Sequence, residues 1–234
     1  MPAWTIPYSS AAQSVSDPYI ANVVLLLHGE GSTIVDSSLS SHTPTANGTV
    51  ATSATQAMFG SKSIYFDGTA GNSLELGTSI DWAWGADEWT VELFMYAGAN
   101  STTRTIWDNR NSVSGGIGIL YGVVPNTLRV YWYQYLSGSS FLTSSVALTA
   151  STQTHIAVCR SGSNLYLFQA GALVASDANF IVASDTSAKS ATLGAADGTT
   201  SSRYIGYLDE VRVTKGTARY TSAFTPPTAA FPDP

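Results

Sequence analysis

The chain closes on Gly206-Tyr-Leu-Asp-Glu-Val-Arg-Val-Thr-Lys-Gly-Thr-Ala-Arg-Tyr-Thr-Ser-Ala-Phe-Thr-Pro-Pro-Thr-Ala-Ala-Phe231-Pro232, and this stretch decides the fold. Tyr204–Val213 reads as one buried strand, followed by a polar tail stopped by Pro226 and Pro227. Within the strand, a period of two puts Asp209 on the same face as Val211 and Val213. A carboxylate on an apolar face has to be paired, hydrogen-bonded or bound to a cation, because an unpaired buried charge is very costly.

Working outward, the chain from Tyr19 to Phe231 is a series of strands and turns. Val23–His28 is a continuous apolar strand, and the short Ser63–Phe66 runs into the turn signal Asp67-Gly68. Trp89–Tyr96 alternates, with Trp89, Val91, Leu93 and Met95 on one side and Thr90, Glu92, Phe94 and Tyr96 on the other. Gly116–Tyr121, Leu128–Tyr135, His155–Arg160, Leu165–Gln169, Ala172–Ala175 and Ala191–Gly194 complete the series, with Gly171 in a hairpin turn. No useful helix-period segment and no internal repeat appears. Many short strands with turn signals predict an all-β, two-sheet sandwich or a barrel. Residues 19–234 form one domain by this reading, and residues 1–18 an N-terminal arm. Trp4, Ile6 and Tyr8 alternate along the arm and need a surface to lie on, either this domain's own or that of a docking partner.

Composition narrows the partners. Only 11% of the 234 residues are charged, and Ser, Thr, Asn and Gly take their place, which suits solvated strand faces and turns. The longest aliphatic run, Val23–Leu27, is far short of the ~20 residues of a spanning helix, so no membrane insertion is expected. With a net charge of −6 and no Lys/Arg cluster, nucleic acid is not an expected partner. Cys159 is the one cysteine, which excludes an internal disulfide and a multi-cysteine zinc site. Met1-Pro-Ala-Trp-Thr-Ile-Pro-Tyr has neither a basic nor an apolar signal region, so synthesis in a cytoplasm without a signal peptide is expected.

Five segments carry a resemblance. They are Leu25-Leu-Leu-His-Gly-Glu-Gly-Ser, Phe59-Gly-Ser-Lys-Ser-Ile-Tyr-Phe-Asp-Gly68, Trp89-Thr-Val-Glu-Leu-Phe, His155-Ile-Ala-Val-Cys-Arg-Ser-Gly-Ser-Asn-Leu-Tyr-Leu-Phe, and the closing stretch. In this order they resemble the concanavalin A-like, laminin-G-type sandwich family, in the version found in bacteriophage tail and virion proteins. The resemblance implies an antiparallel jelly roll. It also implies a non-enzymatic virion structural or decoration protein on capsid or tail, whose partners are other virion proteins or further copies of itself. The alternative it implies is an adhesin that binds surface glycans.

The resemblance further implies a calcium site, since related sandwiches hold one ion near the closing strand. The matching positions are Glu30, Asp67 and Asp209, although this chain reads His28-Gly-Glu-Gly where the family carries Asp. Against this stands pairing of Asp209 with Arg212 or Arg219, or capping of backbone amides. A second candidate is an aromatic platform in which Tyr131, Tyr133 and Tyr135 share one strand face beside Trp107, Asp108, Asn109 and Arg110 of the polar loop 107–115. Ordinary cross-strand packing of those rings is the competing reading. Hydrolysis is not expected: the Glu-x-Asp-x-x-Glu strand of similar glucanases is missing, and Glu88 and Glu92 would lie about 13 Å apart along a strand.

Overall fold

A computed structural model describes residues 17–110, 115–134, 138–181, 187–196 and 202–234. The arm residues Trp4, Ile6 and Tyr8, and Tyr135 of the aromatic strand, lie outside the described residues. The strands are β1 (Val23–Leu27), β2 (Thr45–Asn47), β3 (Ala51–Ser53), β4 (Ser63–Asp67), β5 (Ser73–Ser79), β6 (Trp89–Tyr96), β7 (Arg104–Asp108), β8 (Ile117–Tyr121), β9 (Leu128–Gln134), β10 (Gly138–Thr143), β11 (Thr154–Ser161), β12 (Asn164–Gln169), β13 (Ala172–Asp177), β14 (Lys189–Leu193) and β15 (Ile205–Lys215). Among the described residues they form an eight-stranded sheet, β13-β12-β11-β6-β15-β4-β3 with β1 also on β15, and a seven-stranded sheet, β10-β9-β8-β7-β14-β5-β2. Both are antiparallel, and they pack as a sandwich of the jelly-roll kind.

Period-2 strands explain the core. Val91, Leu93 and Met95 of β6, Ile156 and Val158 of β11 and Leu208, Val211 and Val213 of β15 face Leu74, Ile106, Ile119, Val130, Trp132 and Leu193 of the other sheet, all essentially solvent-free. Each such side chain contributes roughly 1.5–3 kcal/mol by leaving water. The Ala170-Gly171 turn between β12 and β13 has positive φ at both residues (49° and 77°), which matches a type I′ hairpin.

The outer face of the eight-stranded sheet is half covered by the chain's own tail. The Arg219 amide donates to Thr90 Oγ1 (2.8 Å), the Tyr220 hydroxyl to Glu92 (2.9 Å) and the Phe231 amide to Glu210 (2.7 Å). Phe231 packs with Val23, Leu26 and Phe94. This explains why Val23–Leu27 is apolar on both faces, and why Thr90, Glu92 and Phe94 are buried although they point away from the core. Beneath the tail lies an ionic network. Arg212 makes two bonds to Glu92 Oε1 (3.0 and 2.8 Å), and Arg212 and Arg219 share Asp17 at 2.9 and 2.7 Å.

β15 departs from strict alternation. Glu210 sits at φ 49°, and the register with β6 shifts between Asp209 and Arg212. This bulge inserts one residue and turns the alternation over. Asp209 lies opposite Phe94 and faces outward, whereas Val211 and Val213 face the core. The expectation that Asp209 shares their face is therefore corrected.

Candidate functional site

The part of the outer face left open by the tail holds a row of tyrosines. Tyr207 of β15 lies directly opposite Tyr65 of β4 on one side and Tyr96 of β6 on the other. Their neighbours Ile64, Phe66, Met95 and Leu208 are in the core, so all three rings point outward, each half-buried. The Tyr65 and Tyr207 rings are 4.8 Å apart at 33°, and Tyr96 meets Tyr207 edge-on at 5.9 Å. Three strands thus present one aromatic strip that is partly open to solvent.

Asp209 stands at one end of the strip, two residues along β15 from Tyr207 and on the same outward face, just before the bulge. Its Oδ2 accepts the amides of Met58 (2.6 Å) and Phe59 (3.3 Å), and Oδ1 that of Glu210 (2.9 Å). Burial pushes the carboxyl up to about 6, helped by the nearby Glu210 charge and opposed by the three amides. Met58, Phe94, Tyr96, Gln153 and Tyr207 enclose a small hollow beside it. At the other end, Gly98, Ala99, Asn100, Arg104, Tyr121 and Ile205 line a pocket of about 110 Å³. Ile205 shares the outward face of β15 with Tyr207, so it is the wall of this pocket nearest the strip along that strand.

The residues singled out from sequence fall elsewhere. Glu30 is taken up by Ser61 Oγ and the amides of Ser61 and Lys62 (2.7, 2.7 and 3.0 Å), which hold its carboxyl below the usual range. Asp67 accepts Thr49 Oγ1 (2.7 Å), the Thr69 amide (2.8 Å) and Asn72, and is lowered likewise. With Asp209 on its own amides, the three carboxylates serve three separate loops. Among the described residues no group of three His, Cys, Asp or Glu side chains is arranged around a common centre. The expected calcium ligands therefore do not fit one ion. Arg212 and Arg219 do not reach Asp209; they hold Asp17 and Glu92.

The expected aromatic platform is divided by its own strands. Loop 107–115 begins as strand: Trp107 is in the core against Trp82 and Trp84, and Asp108 is 2% exposed. Asn109 is also buried, giving Nδ2 to the Trp82 carbonyl (2.9 Å) and accepting the Ile117 amide (2.9 Å). These three are corrected to structural residues. They look polar in sequence, but Arg110 neutralises Asp108 (2.5 Å) and Asn109 stands in for missing backbone partners. Tyr131 does face outward, with Arg110 over its ring at 4.8 Å and Phe141 directly opposite. Tyr133 follows on the same strand two positions along. Cys159 is buried and its thiol is pushed up to about 12 by burial, which leaves it unreactive.

Sequence reasoning missed the Tyr65–Tyr207–Tyr96 strip. Each tyrosine alternates against core neighbours within its own strand, which is a readable signal. Their meeting depends on long-range register, which is not.

A laminin-G family model described as the concanavalin A-like lectin/glucanases superfamily matches residues 67–219. No curated protein matches the sequence. Among solved structures, the binding domain of Paraclostridial Mosquitocidal Protein 1 is similar, with a TM-score of 0.68, 12% identity, and coverage of 88% of this chain and 50% of that one. The binding domain of Botulinum Neurotoxin DC, solved in complex with SialylT, gives 0.62, 12%, 85% and 49%. A botulinum neurotoxin type C structure, whose cell entry depends on interaction with two ganglioside molecules, gives the same four values. The chain spans about half the length of these structures, and at such identity the likeness is one of fold.

Proposed function

This chain belongs to the concanavalin A-like lectin/glucanase superfamily, and from that premise we propose that it is a non-catalytic carbohydrate-binding module whose sugar platform is the Tyr65–Tyr207–Tyr96 strip. The observation that carries this reading is the strip itself: three outward rings in register on adjacent strands, in a part of that face which the tail leaves open. A pyranose ring offers an apolar C–H face and a polar rim. Tyrosine rings match the first, and Tyr hydroxyls and Gln153 match the second. The neighbouring toxin-binding domains, one solved with SialylT and one tied to gangliosides, support glycan as the ligand class.

The carboxylates support binding without cleavage. Glycoside hydrolysis uses two of them across the bond. The carboxylate at this strip, Asp209, is occupied by backbone amides, and Glu210 is occupied by Phe231 and His28. A place on a phage particle rests on the resemblance of the five sequence segments, whereas the structural neighbours support glycan binding, so the glycan reading is the one carried forward.

The test is a glycan array with the wild type and Tyr207→Ala, followed by calorimetry on the best ligand. Binding that falls in the variant while its melting temperature holds supports the reading. A wild type that binds no glycan, or a variant that binds as well as the wild type, overturns it.

A further inference from the structure

The pocket at the rim end of the strip is polarised by a single arginine. Arg104 opens β7 and is half-buried; its Nη1 donates to the Arg203 carbonyl at 3.0 Å. Among the described residues no carboxylate pairs with it. Other arginines are differently occupied: Arg110 is held by Asp108, Arg212 and Arg219 by Glu92 and Asp17, and Arg160 by the carbonyls of Gly85, Asp87 and Gly162. A guanidinium carries five N–H donors, and Arg104 spends one on Arg203. Arg104 lines a pocket of about 110 Å³, room for several waters or a carboxylate-sized group.

The other walls of the pocket leave that charge uncontested. Asn100 closes on itself through Thr102, accepting the Thr102 amide and hydroxyl and donating to its carbonyl. The Tyr121 hydroxyl is 3.0 Å from both the Gly98 carbonyl and Asn126 Oδ1. Asp67, opposite Ile205, is turned to Thr49, Thr69 and Asn72. In a chain of net charge −6, an anion needs such a local cation to be drawn in at all. Ile205, which lines this pocket together with Arg104, is about 7 Å along β15 from Tyr207, so an oligosaccharide lying on the rings is long enough to reach the pocket.

We infer that the strip takes acidic glycans, with the carboxylate of a uronic or sialic acid docked on Arg104 while a sugar ring lies on Tyr207. This rests on the reading of the tyrosine strip as a sugar platform. A planar carboxylate is the matching partner for a guanidinium fork, which accepts it through two parallel bonds.

The experiment compares matched ligands by calorimetry: a uronic-acid trisaccharide against its carboxyl-reduced neutral form, and sialyllactose against lactose. The wild type should prefer an acidic member by about tenfold, the worth of one charge-assisted bond. Whichever pair shows the preference identifies the source of the carboxylate. Arg104→Gln should bring the ratio near one, and Arg104→Lys should keep part of it. Because Arg104 also ties the rim to Arg203, the wild type supplies a second measure. Its acidic preference should shrink as salt rises from about 0.01 to about 1 M, since screening shortens from about 30 to about 3 Å. Equal affinity for acidic and neutral members, or a preference that survives both Arg104→Gln and high salt, overturns this inference and leaves glycan binding standing. Failure of every ligand overturns both.

Discussion

Replacing Glu92 by Gln tests whether the ionic network under the tail holds the sandwich together. Glu92 is fully buried, and it accepts two bonds from Arg212 (3.0 and 2.8 Å), one from the Tyr220 hydroxyl (2.9 Å) and a contact from His155 (3.1 Å). Burial alone would raise its pKa. The Arg212 charge, His155 and Arg219 outweigh burial and bring the carboxyl down to about 2 from an ordinary 4.5. The native state therefore favours the ionised form, and the gap converts to about 3 kcal/mol at about 1.4 per decade. Breaking a buried pair by removing one partner costs about 3–5 kcal/mol by an independent route. The sign is set by the lowered pKa: the contribution is complete above pH 4.5 and is lost as pH falls from there through about 2. Glu92→Gln, which keeps the shape and points an amide N–H at two arginines, should lose about 3 kcal/mol at pH 7 and much less at pH 2. Urea unfolding followed by tryptophan fluorescence is a suitable assay, because Trp82, Trp84, Trp89, Trp107 and Trp132 are all in the core. A variant within about 1 kcal/mol of wild type at neutral pH, or one with the same loss at both pH values, refutes the argument.

The remaining predictions concern the tail and the strip. Phe231→Ala removes a ring that lies 3.6 Å from the Arg212 guanidinium and packs on Leu26 and Phe94. It should cost about 3 kcal/mol and expose residues after Lys215 to protease, read by limited proteolysis; an unchanged cleavage pattern refutes it. His28 is raised to about 9 from 6.5, chiefly by its bond to Glu210 (2.8 Å) against burial, and is joined by Asp233 at 3.0 Å. Its contribution is complete below pH 6.5 and lost as pH rises through 9, so thermal melts should show wild type losing stability across that window and His28→Asn losing less. Tyr207→Ala should weaken glycan binding about tenfold, the worth of one aromatic contact with its buried area, with no comparable change in melting temperature; calorimetry decides.

The fold was legible where a strand's pattern is enforced on one chain segment by burial. Trp89–Tyr96 and the Ala170-Gly171 hairpin are of this kind, since core packing and positive φ leave few choices. Strands whose outer side is polar were not legible. Ser73–Ser79 carries Glu75, Gly77 and Thr78 on its exposed positions, and Gly138–Thr143 opens on Gly138, Ser139 and Ser140. Arg104–Asp108 failed for the opposite reason. Its Asp108 is a charged residue that the fold buries by pairing it with Arg110, and the sequence offers no warning of that partner.

The face that Asp209 takes depends on a single inserted residue, and this is why sequence periodicity put that carboxylate on the wrong face. Strict alternation through β15 would put Asp209 in the sandwich interior, where a metal or a counter-charge would have to neutralise it. The bulge at Glu210 instead carries Asp209 to the outer face and lets Val211 and Val213 regain the core. The same insertion brings the Glu210 carboxylate to the Phe231 amide and His28, so it fastens the tail that covers one half of the face. The other half, from Asp209 through Tyr207 to Ile205, keeps the regular pairing with β4 and β6 that sets three tyrosines in register. One irregularity thus separates a covered, structural half of the sheet from an open half whose chemistry suits a sugar. A deletion of Glu210 restores the alternation and removes the carboxylate that holds the Phe231 amide, so its expected result is loss of the tail contact, read by limited proteolysis, with the aromatic strip kept in register.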